Sequence, residues 1–341
     1  MKYNSDIFID SAEAETFAPI QDFLSAPALQ ERFAAEDRRS TTNKRLYRLF
    51  SFSVFLLVGV GVIASLCLVT VLSGDDAEPW LLSLAGGLSY ATLVATAVQI
   101  VIWNQRFREK WLLARYAAER LRSVKAQLIA TAGLLPPAQL NAETADRITK
   151  RHLVDLDQVV ASGLTEVCDI DPSELFNLYT DDDVTHPHLG VSVEAYTQYR
   201  TKYQLRFARG EVALLEARER DVMSIVNTVV LFAGIFAACL SSLTFFESVT
   251  PLPFDQNVLI FISLSLFVAS ALLNAVERTS LSEPSVGRYR RYEDAIKRLL
   301  NAPRPDAADT FRRHVERMEG LAIDELREFI EDAKLLGARI I

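Results

Sequence analysis

Ser89, Thr92, Thr96 and Gln99 recur at steps of three, four and three residues, which on a helix places four hydrogen-bonding side chains on one face. Such a row suits either of two tasks. It can line a water-filled bore, or it can hydrogen-bond across a packed bundle, where one contact is worth about 0.6 kcal/mol. Gln99 favours the bore, because a buried amide is harder to satisfy than a hydroxyl. Trp103 and Phe107 continue the row at four-residue steps. Their rings would form an apolar collar that gates the bore by dewetting, or Trp103 would serve as an interfacial anchor. Asp75, Asp76 and Glu78 sit in the turn before this row and would make an acidic, cation-attracting outer mouth.

Two other stretches interleave bases with rings: Tyr199-Arg200-Thr201-Lys202-Tyr203 and Arg288-Tyr289-Arg290-Arg291-Tyr292. That pattern suits phosphate pairing and base stacking. Arg200, Lys202, Arg288, Arg290 and Arg291 are therefore candidate contacts for one confined anionic ligand. The chain as a whole is acidic, with a formal net charge of −8. That balance argues against binding duplex nucleic acid.

Nothing in the pattern points to catalysis. Asp181-Asp182-Asp183 with His186 and His188 matches no standard zinc or calcium spacing and reads as a solvated loop. His152 and His314 have no nucleophile in a recognisable relation, and no G-x-S-x-G, P-loop or H-E-x-x-H occurs. Cys67, Cys168 and Cys239 make no C-x-x-C pair. The reading is a non-enzymatic protein with no cofactor and no metal.

The elements that position these residues follow from charge segregation. Half of the 341 residues are hydrophobic, yet 23% are charged. Residues 49–74, 79–105, 222–246 and 256–276 contain no Asp, Glu, Lys or Arg. A helix needs roughly 20 apolar residues to cross about 30 Å of hydrocarbon, so each run is long enough. The expectation is an all-α integral membrane protein with four transmembrane helices, arranged as two parallel-repeat hairpins with a helical cytoplasmic bundle. The short turns at 73–78 and 247–255 hold no Lys or Arg, whereas basic residues flank every other span end. By the positive-inside rule both termini are cytoplasmic, in a multi-pass arrangement at a bacterial plasma (inner) membrane.

The plan repeats. Arg32-Phe33-Ala34 precedes the first hairpin and Arg206-Phe207-Ala208 the second, while Arg115-Tyr116 and Arg291-Tyr292 follow them. The division expected is an N-terminal segment 1–30, a first two-span unit 31–132 (spans about 49–73 and 79–104), a helical linker 133–192, a second unit 193–300 (spans about 222–246 and 256–276), and a C-terminal amphipathic helix 301–341. Helical periodicity runs from Trp103 to about Ala130, over 142–162, and from Tyr196 to Asp221. Asp171-Pro172 starts a further short helix, and 180–192 reads as a loop. Phe311, Val315, Met318, Ala322, Leu326, Phe329, Ala333 and Leu336 form one apolar stripe.

The segment Tyr196-x-x-Tyr199-Arg200-x-x-Tyr203-Gln204-Leu205-Arg206-Phe207 and the helix Trp111…Arg115-Tyr116-Ala117-Ala118-Glu119 resemble the SLATT family, in a tandem arrangement. These are two-span effector domains associated with oligonucleotide second-messenger synthetases and SLOG sensors in bacterial conflict systems. The resemblance implies a pore- or channel-forming membrane effector of anti-phage defence. It would be gated from the cytoplasm by a nucleotide or oligonucleotide from a partner nucleotidyltransferase, and act by depolarisation. Four helices leave little lumen, so a homo-oligomer in contact with membrane lipid, a tetramer first, is the expected assembly. The alternative is a non-conducting membrane scaffold or sensor whose cytoplasmic helices recruit a soluble partner.

Overall fold

The computed structural model describes residues 4, 6–9, 15–70, 86–87, 90–91, 94–99, 107–163, 186–219, 228–236, 260–270 and 282–338. Among them every regular element is helical. After a 3-10 turn at Ala18–Ile20 come α1 (Gln21–Ser25), α2 (Pro27–Thr70), α3 (Phe107–Leu134) and α4 (Ala142–Ser162). Then follow α5 (Leu189–Tyr196), a π-helical turn (Thr197–Thr201), α6 (Lys202–Glu219), α7 (Ser282–Leu300) and α8 (Ala308–Ala338). The described residues at 86–87, 90–91, 94–99, 228–236 and 260–270 are helical as well.

Among the described residues, no helix is long and apolar enough to cross a membrane. This overturns the expected integral membrane protein with four transmembrane helices, and with it the membrane and ion-channel reading and the multi-pass inner-membrane location. Crossing about 30 Å of hydrocarbon takes one continuous apolar helix of about 20 residues, and none of the described helices meets that requirement. The charge-free run after Leu49 is the distal part of α2, whose first half carries Arg32, Arg38, Arg39, Lys44, Arg45 and Arg48.

The chain forms two interleaved compact units. The first comprises Met1–Asn43, Arg108–Leu215 and Glu283–Ile341, and the second Lys44–Phe107 and Glu216–Ser282. In the first unit α3 is the central element. From Ala114 onward nearly all of its side chains are buried, including Arg120, Arg122, Ser123, Lys125, Gln127 and Thr131. A helix buried all round is normally apolar. This one brings charge into the core, and its neighbours must answer that charge.

Those neighbours are amphipathic, as their periodicity requires. α4 buries Ala145, Ile148, His152 and Leu156 on one face and is capped by Asn141, whose side chain accepts the Thr144 N–H at 2.9 Å. Of the apolar stripe read from the sequence, α8 buries Phe311, Val315, Met318, Leu326 and Ala333 and half-buries Ala322 and Phe329, and it buries Ile323 and Ile330 besides. The N-terminal segment buries Ile7, Phe17, Ile20, Phe23 and Leu24 in the same core. Gly133 lies where α3 meets α5. A Cβ there would stand 2.6 Å from Ser192 Cβ, so only glycine permits this approach.

In the second unit, Ser263 Oγ donates to the Gly234 carbonyl at 3.2 Å, and Gly234 packs against Leu266. Phe50 and Phe107 stack with ring centroids 5.8 Å apart.

Candidate functional site

The chemistry of the first unit is a set of buried ion pairs that ties α3, the π turn, α7, α8 and the N-terminal segment together. At its centre is Glu319 of α8, fully buried. Arg200 Nε donates to Glu319 Oε1 at 2.7 Å and Arg200 Nη2 to Oε2 at 2.6 Å, a two-pronged pair of the strongest kind. The Tyr196 hydroxyl also donates to Oε1, at 2.9 Å. Burial, reinforced by the Glu319 charge, raises the Tyr196 phenol well above its ordinary range, so it remains a donor. Burial alone would lower Arg200, but Glu319 more than compensates and holds the guanidinium firmly protonated. Tyr196 precedes the π turn and Arg200 lies within it, and such turns are frequent at functional sites.

The second cluster joins α3 to the N-terminal segment. Arg122 is 4% exposed and donates to Glu119 Oε1 at 2.6 Å and to the Asn4 side-chain carbonyl. Its Nε lies 3.2 Å from Asp6 Oδ2. The guanidinium sits over the Phe33 and Tyr203 rings at 5.1 and 5.9 Å. Arg115 also pairs with Glu119, at 2.8 Å. Burial raises Glu119, but Arg122 and Arg115 outweigh it and hold the carboxyl below its usual range. Asp6 is the opposite case, pushed up by burial against the pull of Arg122 and Arg200. Lys125 donates to the Leu24 carbonyl, and burial lowers its ammonium to about 7 against the pull of Asp6.

The third cluster fixes α7 to α8. Arg288 Nε donates to Glu325 at 3.1 Å and Nη1 to Asp332 at 2.6 Å. Its guanidinium also lies over Tyr289 and Phe329, at 5.1 and 5.2 Å. Burial raises the Glu325 carboxyl to about 7 despite Arg288. On the surface Arg291 pairs with Glu328 at 2.6 Å.

The expected anion contacts are thus divided. Arg200 and Arg288 are buried and held by carboxylates of α8, Arg291 meets another on the surface, and Lys202 and Arg290 are exposed. Of the expected pore row, Thr96 and Gln99 are exposed on the helical stretch 94–99, while Ser89 and Thr92 lie outside the described residues. Phe107 of the expected gate is half-buried against Phe50. Trp103 and the acidic-mouth residues Asp75, Asp76 and Glu78 lie outside the described residues. So do Asp181–Asp183, and among the described residues no group of His, Cys, Asp and Glu is placed to hold a metal ion. His152 is buried on α4, and burial, with Arg120 beside it, lowers its imidazole to about 4.

Sequence reasoning missed Asp6, Glu119, Arg122, Lys125 and Glu319. A signal for two of them was present: Arg115, Glu119 and Arg122 stand at steps of four and three inside a helix that also carries apolar residues on every face. No protein-family model matches the chain, and no curated protein or solved structure does.

Proposed function

We propose that the chain is a non-catalytic relay: the first unit receives an anionic signal of the nucleotide class and answers by loosening α8, which then recruits a soluble partner. The observation that carries this reading is the buried ion-pair set itself. Replacing such pairs by apolar residues is often neutral or stabilising, so their worth lies elsewhere, and their best-attested use is to fix register or to switch. Here they connect the N-terminal segment to α3 through Asn4, Asp6 and Arg122, and α8 to the π turn through Arg200 and Glu319. Arg200 also acts on Asp6 electrostatically, so the two clusters share charges.

The aromatic and basic residues that carry the resemblance to SLATT domains fall inside this network. Tyr116, Tyr196, Tyr199, Arg200 and Tyr203 are all buried in the first unit. The nucleotide class of the signal is what that resemblance implies. The test offers the full chain a panel of linear and cyclic di- and trinucleotides. Hydrogen exchange follows α8, and chromatography follows the fate of each nucleotide. The relay reading expects a member that is recovered intact and accelerates exchange across Phe311–Ile330. Conversion of any member to product, or binding with unchanged α8 exchange, contradicts it.

A further inference from the structure

Asp6 is an unusual counter-ion. It is 4% exposed, and neither carboxylate oxygen accepts a hydrogen bond. Yet three cations bear on it: Arg122 at 3.2 Å, and Lys125 and Arg200 through space. One nitrogen of Arg200, Nη1, is also buried without an acceptor, because both Glu319 oxygens are taken by Nε and Nη2. Arg122 Nε and Arg200 Nη1 are thus buried donors without an acceptor, and both Asp6 oxygens are buried acceptors without a donor, whereas a phosphate offers more oxygens and more charge than one carboxylate. Burial also raises the Asp6 carboxyl, whereas Arg122 and Arg115 hold Glu119 below its usual range.

The segment that delivers Asp6 is joined to the rest of the unit under strain. Ala26, between α1 and α2, has φ 24° and ψ 66°, a conformation that L residues with a Cβ disfavour. Lys125 holds the last turn of this segment through the Leu24 carbonyl, so one pair of cations, Arg122 and Lys125, grips both of its ends.

We propose that Arg122, Lys125 and Arg200 form a binding site for the phosphate groups of a small ligand, and that Asp6 occupies it as a built-in competitor. The inference deepens the relay reading and rests on it. Phosphate entering the site displaces Asp6 and Asn4, and the N-terminal segment lifts from α3. Arg122 keeps its seat over Phe33 and Tyr203 and supplies the fixed half of the cradle.

Calorimetric titration of the full chain with inorganic pyrophosphate, a nucleoside diphosphate and the parent nucleoside tests this. Asp6→Asn retains the shape and removes the competing charge, so pyrophosphate should bind it at least tenfold more tightly than wild type. Adding Arg122→Gln should abolish that gain, and the nucleoside alone should not bind. Tighter binding of the nucleoside diphosphate than of pyrophosphate identifies a nucleotide as the source of the phosphate, and equal binding identifies free phosphate; either supports the site. Equal affinities for wild type and Asp6→Asn, or affinity indifferent to Arg122→Gln, overturns the proposal. If Asp6→Asn does not fold, wild-type exchange decides. Saturating pyrophosphate should accelerate exchange of the Ile20 and Ala26 amides, and unchanged exchange overturns the site. Failure here with nucleotide-driven exposure of α8 intact removes this site and leaves the relay; loss of both removes both.

Discussion

Glu319→Ala removes the one carboxylate that Arg200 and Tyr196 share. Arg200 is 3% exposed, so the substitution leaves a buried guanidinium with no counter-ion in contact. Breaking a buried pair from one side costs about 3–5 kcal/mol. For a domain of about 150–250 residues each kcal/mol lowers Tm by about 2–4 °C, so a fall of roughly 6–20 °C is expected. Glu319→Gln should cost less, because its amide oxygen still accepts from Tyr196 or from Arg200. The decisive variant is the pair Arg200→Leu with Glu319→Leu. Removing both charges avoids the orphaned ion, so the double variant should be at least about 2 kcal/mol more stable than Glu319→Ala. Urea denaturation followed by circular dichroism measures all three. A Glu319→Ala loss below about 1 kcal/mol, typical of a surface pair, would refute the buried geometry. So would a double variant no better than the single one.

Three further outcomes follow from the same structure. Gly133→Ala gains helix propensity of about 1 kcal/mol but forces a Cβ to 2.6 Å from Ser192 Cβ, so a net loss of about 1–2 kcal/mol is expected, largely rescued by Ser192→Gly. Lys125 has its ammonium lowered to about 7 when folded, against an ordinary value near 10.5 when unfolded. Between those values the unfolded chain binds more protons, so this lysine makes stability rise with pH by up to about 1.4 kcal/mol per unit. Lys125→Met should flatten the wild-type slope between pH 7.5 and 9.5, and an identical slope in both proteins would contradict the burial. Arg288→Lys keeps the charge but cannot reach Glu325 and Asp332 together or lie flat over Tyr289 and Phe329, so thermal melts should show a loss of about 1–2 kcal/mol.

The helical class and several boundaries were legible because local signals set them. Asn141 and Gly163 delimit α4 where the periodicity placed it, and Pro136-Pro137 stop α3 close to the expected end. The start of α5 at Leu189 was not seen, since its first residues, Leu189-Gly190-Val191-Ser192, resemble loop composition and are helical through packing against Gly133. The charge-free runs carried the expectation of spanning helices, whereas among the described residues no helix is long and apolar enough to cross a membrane. The charged core was hidden because no sequence period distinguishes a buried Arg from a solvated one. Arg122 and Arg200 look like ordinary surface bases until Asp6, more than 110 residues upstream of Arg122, and Glu319, 119 residues beyond Arg200, are folded against them.

Coupling between the two ends of the charge network can be read in one exchange experiment. Arg122→Gln perturbs only the cluster beside Asn4, Asp6 and Glu119, while amides of α8 from Phe311 to Ile330 report on the cluster around Glu319. Coupling through shared charges predicts faster exchange in the N-terminal segment and in α8 together, with the amides of α4 at their wild-type rates. An N-terminal segment that loosens while α8 exchanges at its wild-type rate would contradict the relay.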